Sequence, residues 1–137
     1  ADLLITVTPS KAPVFDADKV KEGITVSCIG GYQPDMQELD SKIFKRCDKI
    51  YFDSKAAVLA EAGDILIPLK EGKVKEADFT GDIGEYLLNK IPGREGEDEI
   101  IVFKSVGVAA QDLVTAGEIY KKAVEAGAGI DTASFGY

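Results

Sequence analysis

Four short apolar runs limit how this chain can fold. They are rich in β-branched residues, and none has the strict polar alternation of a half-exposed strand. They read "LLITVT" (3–8), "ITVSCIG" (24–30), "KIYFDS" (49–54) and "EIIVFKS" (99–105). Helical segments separate them, and this alternation favours a parallel sheet with right-handed connections. The sequence therefore predicts one α/β domain of about four strands with flanking helices, and we expect the strands to be buried on both faces.

The segments between these runs carry helix start and stop signals. Four helices are predicted: 41–47 capped by Asp40, 55–63 between Ser54 and Gly63, 81–90 capped by Thr80, and a long helix over 106–127 that Gly127 and Gly129 end. The stretch "AGDILIPLKEGKV" (62–74) is ambiguous. Its "DILIPL" has the composition of a fifth strand, but Pro68 favours an edge or a loop.

The charge and residue content exclude several classes of function. A net charge of −8 disfavours nucleic acid binding, which needs a basic face. Histidine is absent, which removes the commonest general base, and no metal-ligand spacing is present. No window approaches the ~20 apolar residues of a membrane span, and the start carries no leader pattern. Cys28 and Cys47 are expected to be buried thiols of a cytoplasmic protein, with a disulfide as the alternative.

Polar residues follow the first apolar run, where a parallel α/β sheet of this kind would bind a ligand. Such sheets bind ligands beyond the carboxyl ends of their strands. Thr6, Thr8, Ser10 and Lys11 occupy this position. They form either a capped turn, with the proline between them setting the bend, or a rim of hydroxyl and main-chain groups against a cofactor.

The other strand ends allow similar pairs of interpretations. Gly30 and Gly31 form either a tight turn or a place where the main chain approaches a ligand closely. Ser105 is either the N-cap of the last helix or a donor to a polar ligand. The Asp53-Ser54 pair has the composition of a helix cap.

Several stretches, taken together, resemble one known family. They are "TVTPSKAPVF", "IGGYQPDMQELD", "DSKAAVLAEAGDILIPLKEG", "GDIGEYLLNKIPGR" and "DEIIVFKSVGVAAQDLVTA". Their order and spacing are similar to those of the ornithine cyclodeaminase/mu-crystallin family, which includes archaeal-type alanine dehydrogenases and ketimine or pyrroline-2-carboxylate reductases. The resemblance implies a Rossmann-type domain that binds NAD or NADP. Residues 1–127 would be the carboxy-terminal part of that domain, and residues 128–137 a tail.

The resemblance assigns roles to a few residues. It implies that the cofactor is contacted by Thr8, Val26, Ser27, Cys28, Ile29 and Ser105, and the substrate by Val106. Under this interpretation the second strand stops at Gly30-Gly31 because a nicotinamide and a small imine need room there. The family's glycine loop and substrate domain have no counterpart here, so the choice between NAD and NADP and the substrate's identity stay open.

The loop after the glycine pair departs from the cyclodeaminase pattern. Tyr32 stands where cyclodeaminases carry an aspartate, and Met36 stands where they carry a lysine. Gln33 or Asp35 would compensate only if the loop moved. These differences argue against ornithine cyclisation and favour the reductase branch, in which hydride passes to a cyclic imine. Tyr32 is then the candidate proton donor, and its reference pKa of ~10 would keep it a neutral hydrogen-bonding group.

Two functions of different classes follow. The first is a portion of an NAD(P)-dependent oxidoreductase that acts on a small amino acid or cyclic imine and is inactive alone. The second is a non-catalytic scaffold or partner subunit, because the exposed edge of "LLITVT" would pair with another chain. The expected partners are a substrate of that class and either a second copy, as a homodimer, or a chain that supplies an amino-terminal half.

Overall fold

The computed structural model describes residues 1–130 and residue 132. It divides the chain into two compact units, Ala1–Gly107 and Val108–Tyr137. The first unit contains a sheet of five strands: β1 (Leu3–Thr6), β2 (Thr25–Cys28), β3 (Lys49–Phe52), β4 (Gly81–Asp82) and β5 (Ile101–Lys104). All four pairings are parallel, in the order β1-β2-β5-β3-β4. The predicted parallel α/β sheet is confirmed, and the two-residue β4 adds a strand to the four that were expected.

The core lies on one face of this sheet, and β5 is the central strand of the sheet. Although β5 is the last strand in the chain, it lies between β2 and β3, with Val102 opposite Val26 on one side and Ile50 on the other. Burying an aliphatic side chain stabilises a fold by about 1.5–3 kcal/mol, so this face contributes most of the unit's stability. The core comprises strand residues and residues of the crossovers: Val26, Cys28, Ile50, Phe52, Val102, Leu39, Ile43, Val58 and Ile65.

The crossover segments of the first unit are short helices. They are α1 (Lys55–Glu61), α2 (Gly63–Lys70), α3 (Ile83–Leu87) and 3-10 turns at Ala17–Lys19, Ser41–Lys45 and Glu76–Asp78. Two predicted caps are confirmed. The Asp40 carboxylate accepts the Lys42 N–H at 3.1 Å, and the Ser54 hydroxyl accepts the Ala57 N–H at 3.4 Å. These caps depend on contacts two or three residues away, which a local pattern can reveal.

The "DILIPL" stretch forms helix α2 rather than a strand or a loop. Pro68 lies inside this helix, where its missing N–H removes one helical hydrogen bond. Contacts from a distant segment offset that cost, because the Asp64 carboxylate accepts the N–H groups of Glu38 at 2.6 Å and Leu39 at 2.8 Å. Such contacts leave no trace in the local apolar pattern, which is why the sequence left this element open.

The predicted helices are shorter in the structure: 41–47 is the 3-10 turn Ser41–Lys45, 81–90 is Ile83–Leu87, and 106–127 is Ala109–Glu125. Two of the expected boundary signals also act differently. Gly63 begins α2 instead of ending α1. Thr80 does not cap the next helix, because its hydroxyl accepts the Ile50 N–H at 2.9 Å. Asp82 occupies the N-cap position of α3 instead. In both cases a partner distant in the chain meets the residue: β3 meets Thr80, and the Gln33 carbonyl accepts the Gly63 N–H at 3.1 Å.

The second face of the sheet is only partly covered, which corrects the expectation that every strand is buried on both sides. Leu3 and Ile5 of β1 are 53% and 54% exposed. Farther along this face, α3 and the segment after it leave a groove of about 410 Å³. Its lining comprises Leu3, Thr25, Ser27, Tyr51, Ile83, Tyr86, Gly93, Arg94, Ile101 and Phe103.

The second unit consists mainly of helix α4, Ala109–Glu125. The helix ends as predicted, with Gly127 in the left-handed conformation at φ +63°. The boundary expected between residues 127 and 128 stays a prediction, and most of the expected tail, residue 131 and residues 133–137, lies outside the described residues. In the part of the chain that the structure describes, no helix has the length and apolar content to span a bilayer.

Candidate functional site

The predicted ligand-facing segments meet at one edge of the sheet. Thr6, Cys28 and Lys104 end three neighbouring strands in register. The chains continue side by side, since the Ile29 N–H donates to the Thr6 carbonyl at 2.9 Å and the Ser105 N–H donates to the Cys28 carbonyl at 3.0 Å. We call the residues at these three strand ends, 6–8, 28–32 and 104–107, the carboxyl edge. Because β5 lies beside β2, the loop after the last strand adjoins the glycine pair.

A buried carboxylate lies beneath this edge. Glu38 is fully buried, and its two oxygens accept four hydrogen bonds from neutral groups. Oε1 accepts the Thr8 N–H at 2.5 Å and the Thr8 hydroxyl at 2.7 Å, while Oε2 accepts the Thr6 hydroxyl and the Gly30 N–H, both at 2.9 Å. One side chain thus joins the ends of β1 and β2. The hydroxyls of Thr6 and Thr8 point at Glu38, which favours the capped-turn interpretation of this segment.

The hydrogen bonds keep Glu38 ionised. Burial alone would raise the pKa of its carboxyl group, because a charge loses its hydration. The bonds from Thr8, Thr6 and Gly30 favour the charged form and outweigh this effect, so the pKa of Glu38 lies below its ordinary value of 4.5. Glu38 is therefore a charged group at neutral pH.

This shift predicts an acid-dependent effect of Glu38→Gln on stability. A lowered pKa stabilises the fold above the unfolded value of 4.5, and the stabilisation is lost as pH falls through the lower folded value. We expect Glu38→Gln to lower the free energy of unfolding by about 1–3 kcal/mol at pH 7. In urea unfolding, the difference from wild type should narrow as pH falls below 4.5. The control is Glu22→Gln, at an exposed position, whose free energy of unfolding should differ little from wild type at any pH. A difference between Glu38→Gln and wild type that does not change with pH would contradict the prediction.

A buried ion pair supports the glycine pair from below. Asp64 and Lys104 are both fully buried, with the Lys104 Nζ 3.0 Å from Asp64 Oδ2. These two atoms have no well-aligned hydrogen bond among the described residues, so they interact chiefly as charges. A Cβ placed on Gly31 would lie 2.5 Å from Asp64 Oδ2, which explains why only glycine fits there.

The glycine pair is therefore a packing requirement. A Cβ on Gly30 would lie 2.2 Å from the Thr8 nitrogen and 2.3 Å from its carbonyl oxygen. The structure thus supports close packing within the protein itself as the reason for glycine, against the Thr8 main chain at Gly30 and the Asp64 side chain at Gly31, rather than room left for a ligand. Neither residue has a positive φ, so the close approach and not the backbone angle demands glycine.

A third carboxylate organises the loop after β5. Asp53 Oδ2 accepts the Ser105 hydroxyl at 2.7 Å, the Val106 N–H at 3.0 Å and the Gly107 N–H at 2.8 Å. The Ser105 hydroxyl does not cap α4, whose N-cap position is Val108. Its hydrogen is given to Asp53, so this hydroxyl can offer a ligand only its oxygen lone pairs.

The predicted cofactor residues, the substrate contact Val106 and the candidate proton donor Tyr32 lie in three kinds of position. Thr8, Ile29 and Tyr32 are solvent-accessible at the carboxyl edge, with Ile29 41% and Tyr32 50% exposed. Val26 and Cys28 face the core and are fully buried, so only their main chain could meet a ligand. The remaining three are half-buried: Ser27 on the grooved face, and Ser105 and Val106 in the loop that Asp53 holds.

The burial of the two cysteines predicts low thiol reactivity. Both are free, and burial raises the pKa of Cys28 and of Cys47 to about 12 from the ordinary 9.0. That rise leaves about a thousandfold less thiolate, the reactive form. We expect reaction with a disulfide reagent at pH 8 to be very slow in the native protein and complete for both thiols in guanidinium chloride. Rapid native labelling of Cys28 would contradict its position in the core.

Sequence analysis missed the residues that organise the edge. Glu38, Asp64 and Lys104 were not selected, and Asp53 was interpreted as part of a cap. Asp64 directly precedes the apolar stretch "ILIPL", where an acid is rarely buried unless it is paired, and this was the one available signal. Glu38 lies in the largely polar stretch "QPDMQELD" and gave no such signal. Its partners, which lie 8 to 32 residues away in the chain, could not be identified from a local pattern.

Comparison with known proteins gives a consistent result. The model of the ornithine cyclodeaminase/mu-crystallin family matches residues 1–127. Delta(1)-pyrroline-2-carboxylate reductase of Bacillus cereus is 39% identical over 129 residues, which are 94% of this chain and 39% of that protein. The chain thus spans about two fifths of the length of the relatives it matches.

Two solved structures share the fold. The Thermococcus litoralis Delta(1)-pyrroline-2-carboxylate reductase in complex with NADH and L-proline superposes with a TM-score of 0.86 at 38% identity, covering 96% of this chain and 40% of that one. An archaeal alanine dehydrogenase dimer with bound NAD superposes with a TM-score of 0.81 at 36% identity, and the match covers 94% of this chain and 40% of that one. These neighbours support the predicted Rossmann-type architecture.

Proposed function

The chain belongs to the ornithine cyclodeaminase/mu-crystallin family, and from this premise we propose that it forms the nicotinamide side of an NAD(P)-dependent reductase. The substrate would be a small amino acid or a cyclic imine. The observation that carries the proposal is the likeness to the Thermococcus litoralis reductase, which was solved with NADH and L-proline, over almost the whole of this chain. By itself the chain would be inactive, because it spans only two fifths of such an enzyme.

The carboxyl edge suits the nicotinamide half of a dinucleotide. Ile29 offers a half-exposed apolar side chain for the flat ring, and Tyr32 offers a hydroxyl beside it. Thr8 gives its hydroxyl hydrogen to Glu38, so it would offer a ligand only an acceptor oxygen. The loop of Ser105 and Val106 is held in place next to them. No G-x-G-x-x-G loop occurs in the sequence, so these residues fit one half of the cofactor and not its pyrophosphate.

The chain's own residues would orient the reactants and exclude water. The bound dinucleotide, NAD or NADP, supplies the hydride chemistry. Ile29 and Val106 would shield the reacting carbon from solvent, and the Tyr32 hydroxyl would donate a hydrogen bond to the substrate. No carboxylate follows the glycine pair directly, which fits imine reduction better than a cyclodeaminase reaction that needs an acid or base at that point.

A thermal-shift experiment on the isolated chain tests this proposal. A ligand that binds only the folded state raises the melting temperature. We expect reduced nicotinamide mononucleotide and NADH to raise it at millimolar concentration, and AMP to leave it unchanged. Ile29→Asp should abolish the shift, whereas Leu87→Asp, at an exposed position of α3, should not.

Turnover is the companion prediction. The isolated chain should not oxidise NADH in the presence of Delta(1)-pyrroline-2-carboxylate, because it spans only about two fifths of the length of such an enzyme. Turnover by the chain alone would refute this prediction. No shift with any nicotinamide compound would count against the proposed site itself.

A non-catalytic role in assembly is the second candidate. β1 lies at the end of the sheet and, among the residues that the structure describes, pairs only with β2; its exposed Leu3 and Ile5 extend that edge as an apolar surface. Parallel sheets are normally covered on both faces, so a chain that supplies an amino-terminal half, or a second copy, would cover this surface. The archaeal alanine dehydrogenase was solved as a dimer, which supports self-association. A clean monomer in sedimentation at high protein concentration would count against this role.

The cellular location follows the same proposal. Two free cysteines, the buried Cys28 and the half-buried Cys47, suit a reducing compartment, and we propose that the protein is cytoplasmic.

A further inference from the structure

We propose that Glu38 is a positioning residue, which sets the spacing between the loops after β1 and β2 and thereby the width of the nicotinamide surface. The inference rests on the proposed function for its ligand. Its structural part rests on the contacts of one buried carboxylate. Glu38 does not face the ligand surface itself, so it acts through Thr8 and Gly30.

The two oxygens of Glu38 each receive a main-chain N–H from a different loop. Oε1 takes the Thr8 N–H and Oε2 takes the Gly30 N–H. The hydroxyls of Thr6 and Thr8 can rotate to donate or accept, but an N–H can only donate. Both oxygens of residue 38 must therefore accept, and an ionised carboxylate accepts strongly at both, whereas protonation turns one oxygen into a donor and weakens its acceptance.

The same geometry makes an amide a poor substitute. Glutamine has the shape of glutamate, but it would turn its NH₂ group toward either the Thr8 N–H or the Gly30 N–H. One loop would then lose its anchor and face a second donor. Because the main chains of Gly30 and Thr8 are already in close contact, any change at one loop displaces the other.

Glu38 is itself held rigidly, which a positioning residue requires. Its N–H donates to Asp64 Oδ1 at 2.6 Å, and its carbonyl accepts the Val14 N–H at 2.9 Å. Asp64 in turn pairs with Lys104 at the end of β5. Through Asp64 and Lys104, the Glu38 carboxylate is therefore also connected to β5, the third strand of the carboxyl edge.

Hydrogen exchange of the ¹⁵N-labelled 137-residue chain tests the structural part. In Glu38→Gln, the Thr8 and Gly30 amides should exchange about tenfold or more faster relative to the core amide of Val102, which reports global unfolding. Glu99→Gln is the matched control. It also replaces a carboxylate that accepts a main-chain N–H, that of Glu95, and it weakens the ion pair of Glu99 with Lys49; both lie outside the carboxyl edge, so the Thr8 and Gly30 ratios should stay unchanged.

A measurement on the wild type keeps the inference testable if Glu38→Gln fails to fold. The Thr8 and Gly30 amide shifts should titrate together as pH falls, with a midpoint below 4.5. Asp64 and Lys104 are the neighbouring charged groups, and Lys104→Met should move this midpoint without removing it. Exchange ratios that do not change in Glu38→Gln, or two amides that do not titrate together, would overturn the inference.

The ligand part has its own outcomes. Reduced nicotinamide mononucleotide should perturb the Thr8, Ile29 and Gly30 amides of the wild type, and Glu38→Gln should weaken its binding about tenfold. Equal binding to both proteins would overturn the positioning role while leaving the proposed function intact. Absence of any wild-type response would instead refute the proposed function and the ligand part with it, while the exchange data would still decide the loop-spacing role.

Discussion

Replacing Asp64 with alanine is expected to lower the free energy of unfolding by about 3–5 kcal/mol, the largest effect of any single change considered for this chain. The substitution leaves the fully buried Lys104 ammonium without its carboxylate. It also removes the acceptor of two N–H groups, those of Glu38 and Leu39. Urea unfolding monitored by circular dichroism measures the loss.

An exposed ion pair provides the control for this prediction. Asp18 pairs with Lys42 at 2.7 Å, but both side chains are more than half exposed. Asp18→Ala should therefore cost no more than about 1 kcal/mol. In addition, the double variant Lys104→Met/Asp64→Asn should lose less free energy of unfolding than the two single variants together, because both buried charges are removed at once. A loss at Asp64 as small as that at Asp18 would mean that the Lys104 ammonium reaches water.

Replacing Gly30 with alanine is the second large expected effect. The new Cβ would lie 2.2 Å and 2.3 Å from main-chain atoms of Thr8, and main-chain atoms cannot rotate away as a side chain can. The loops after β1 and β2 would have to separate, which breaks the bonds that both make to Glu38. We expect a loss of about 3 kcal/mol, at the upper end of the range for overpacking.

Gly84→Ala is the matched control, because no atom lies within 4 Å of the position that its Cβ would occupy. It lies in helix α3, where alanine is favoured, so the expected change is between zero and about 1 kcal/mol of stabilisation. Thermal unfolding of both variants, with the heteronuclear spectrum recorded for Gly30→Ala, distinguishes local separation of the loops from general destabilisation. Equal stability of the two variants would show that the carboxyl edge is looser than its contacts indicate.

The carboxyl edge shows the difference between finding a site and explaining it. The apolar runs locate the strand ends, and a parallel sheet brings such ends together. Thr8, Gly30 and Ser105 could therefore be predicted at the ligand-binding edge from the sequence alone. The reason for the glycine pair could not be found in this way. It depends on Thr8, Asp64 and Glu38, which are distant in the chain and meet the glycines only in the folded protein.

The sequence by itself determined the parallel α/β class, the places of the four main strands, the Asp40 and Ser54 caps and the end of α4 at Gly127. Each of these depends on interactions among residues close in the chain, where composition and spacing carry the physics. Tertiary structure alone decided the insertion of β5 between β2 and β3, the helical state of "DILIPL" and the burial of Glu38, Asp64 and Lys104. These features depend on pairing between distant segments, because a buried charge or a proline within a helix is tolerated only when a partner from elsewhere in the fold compensates its cost.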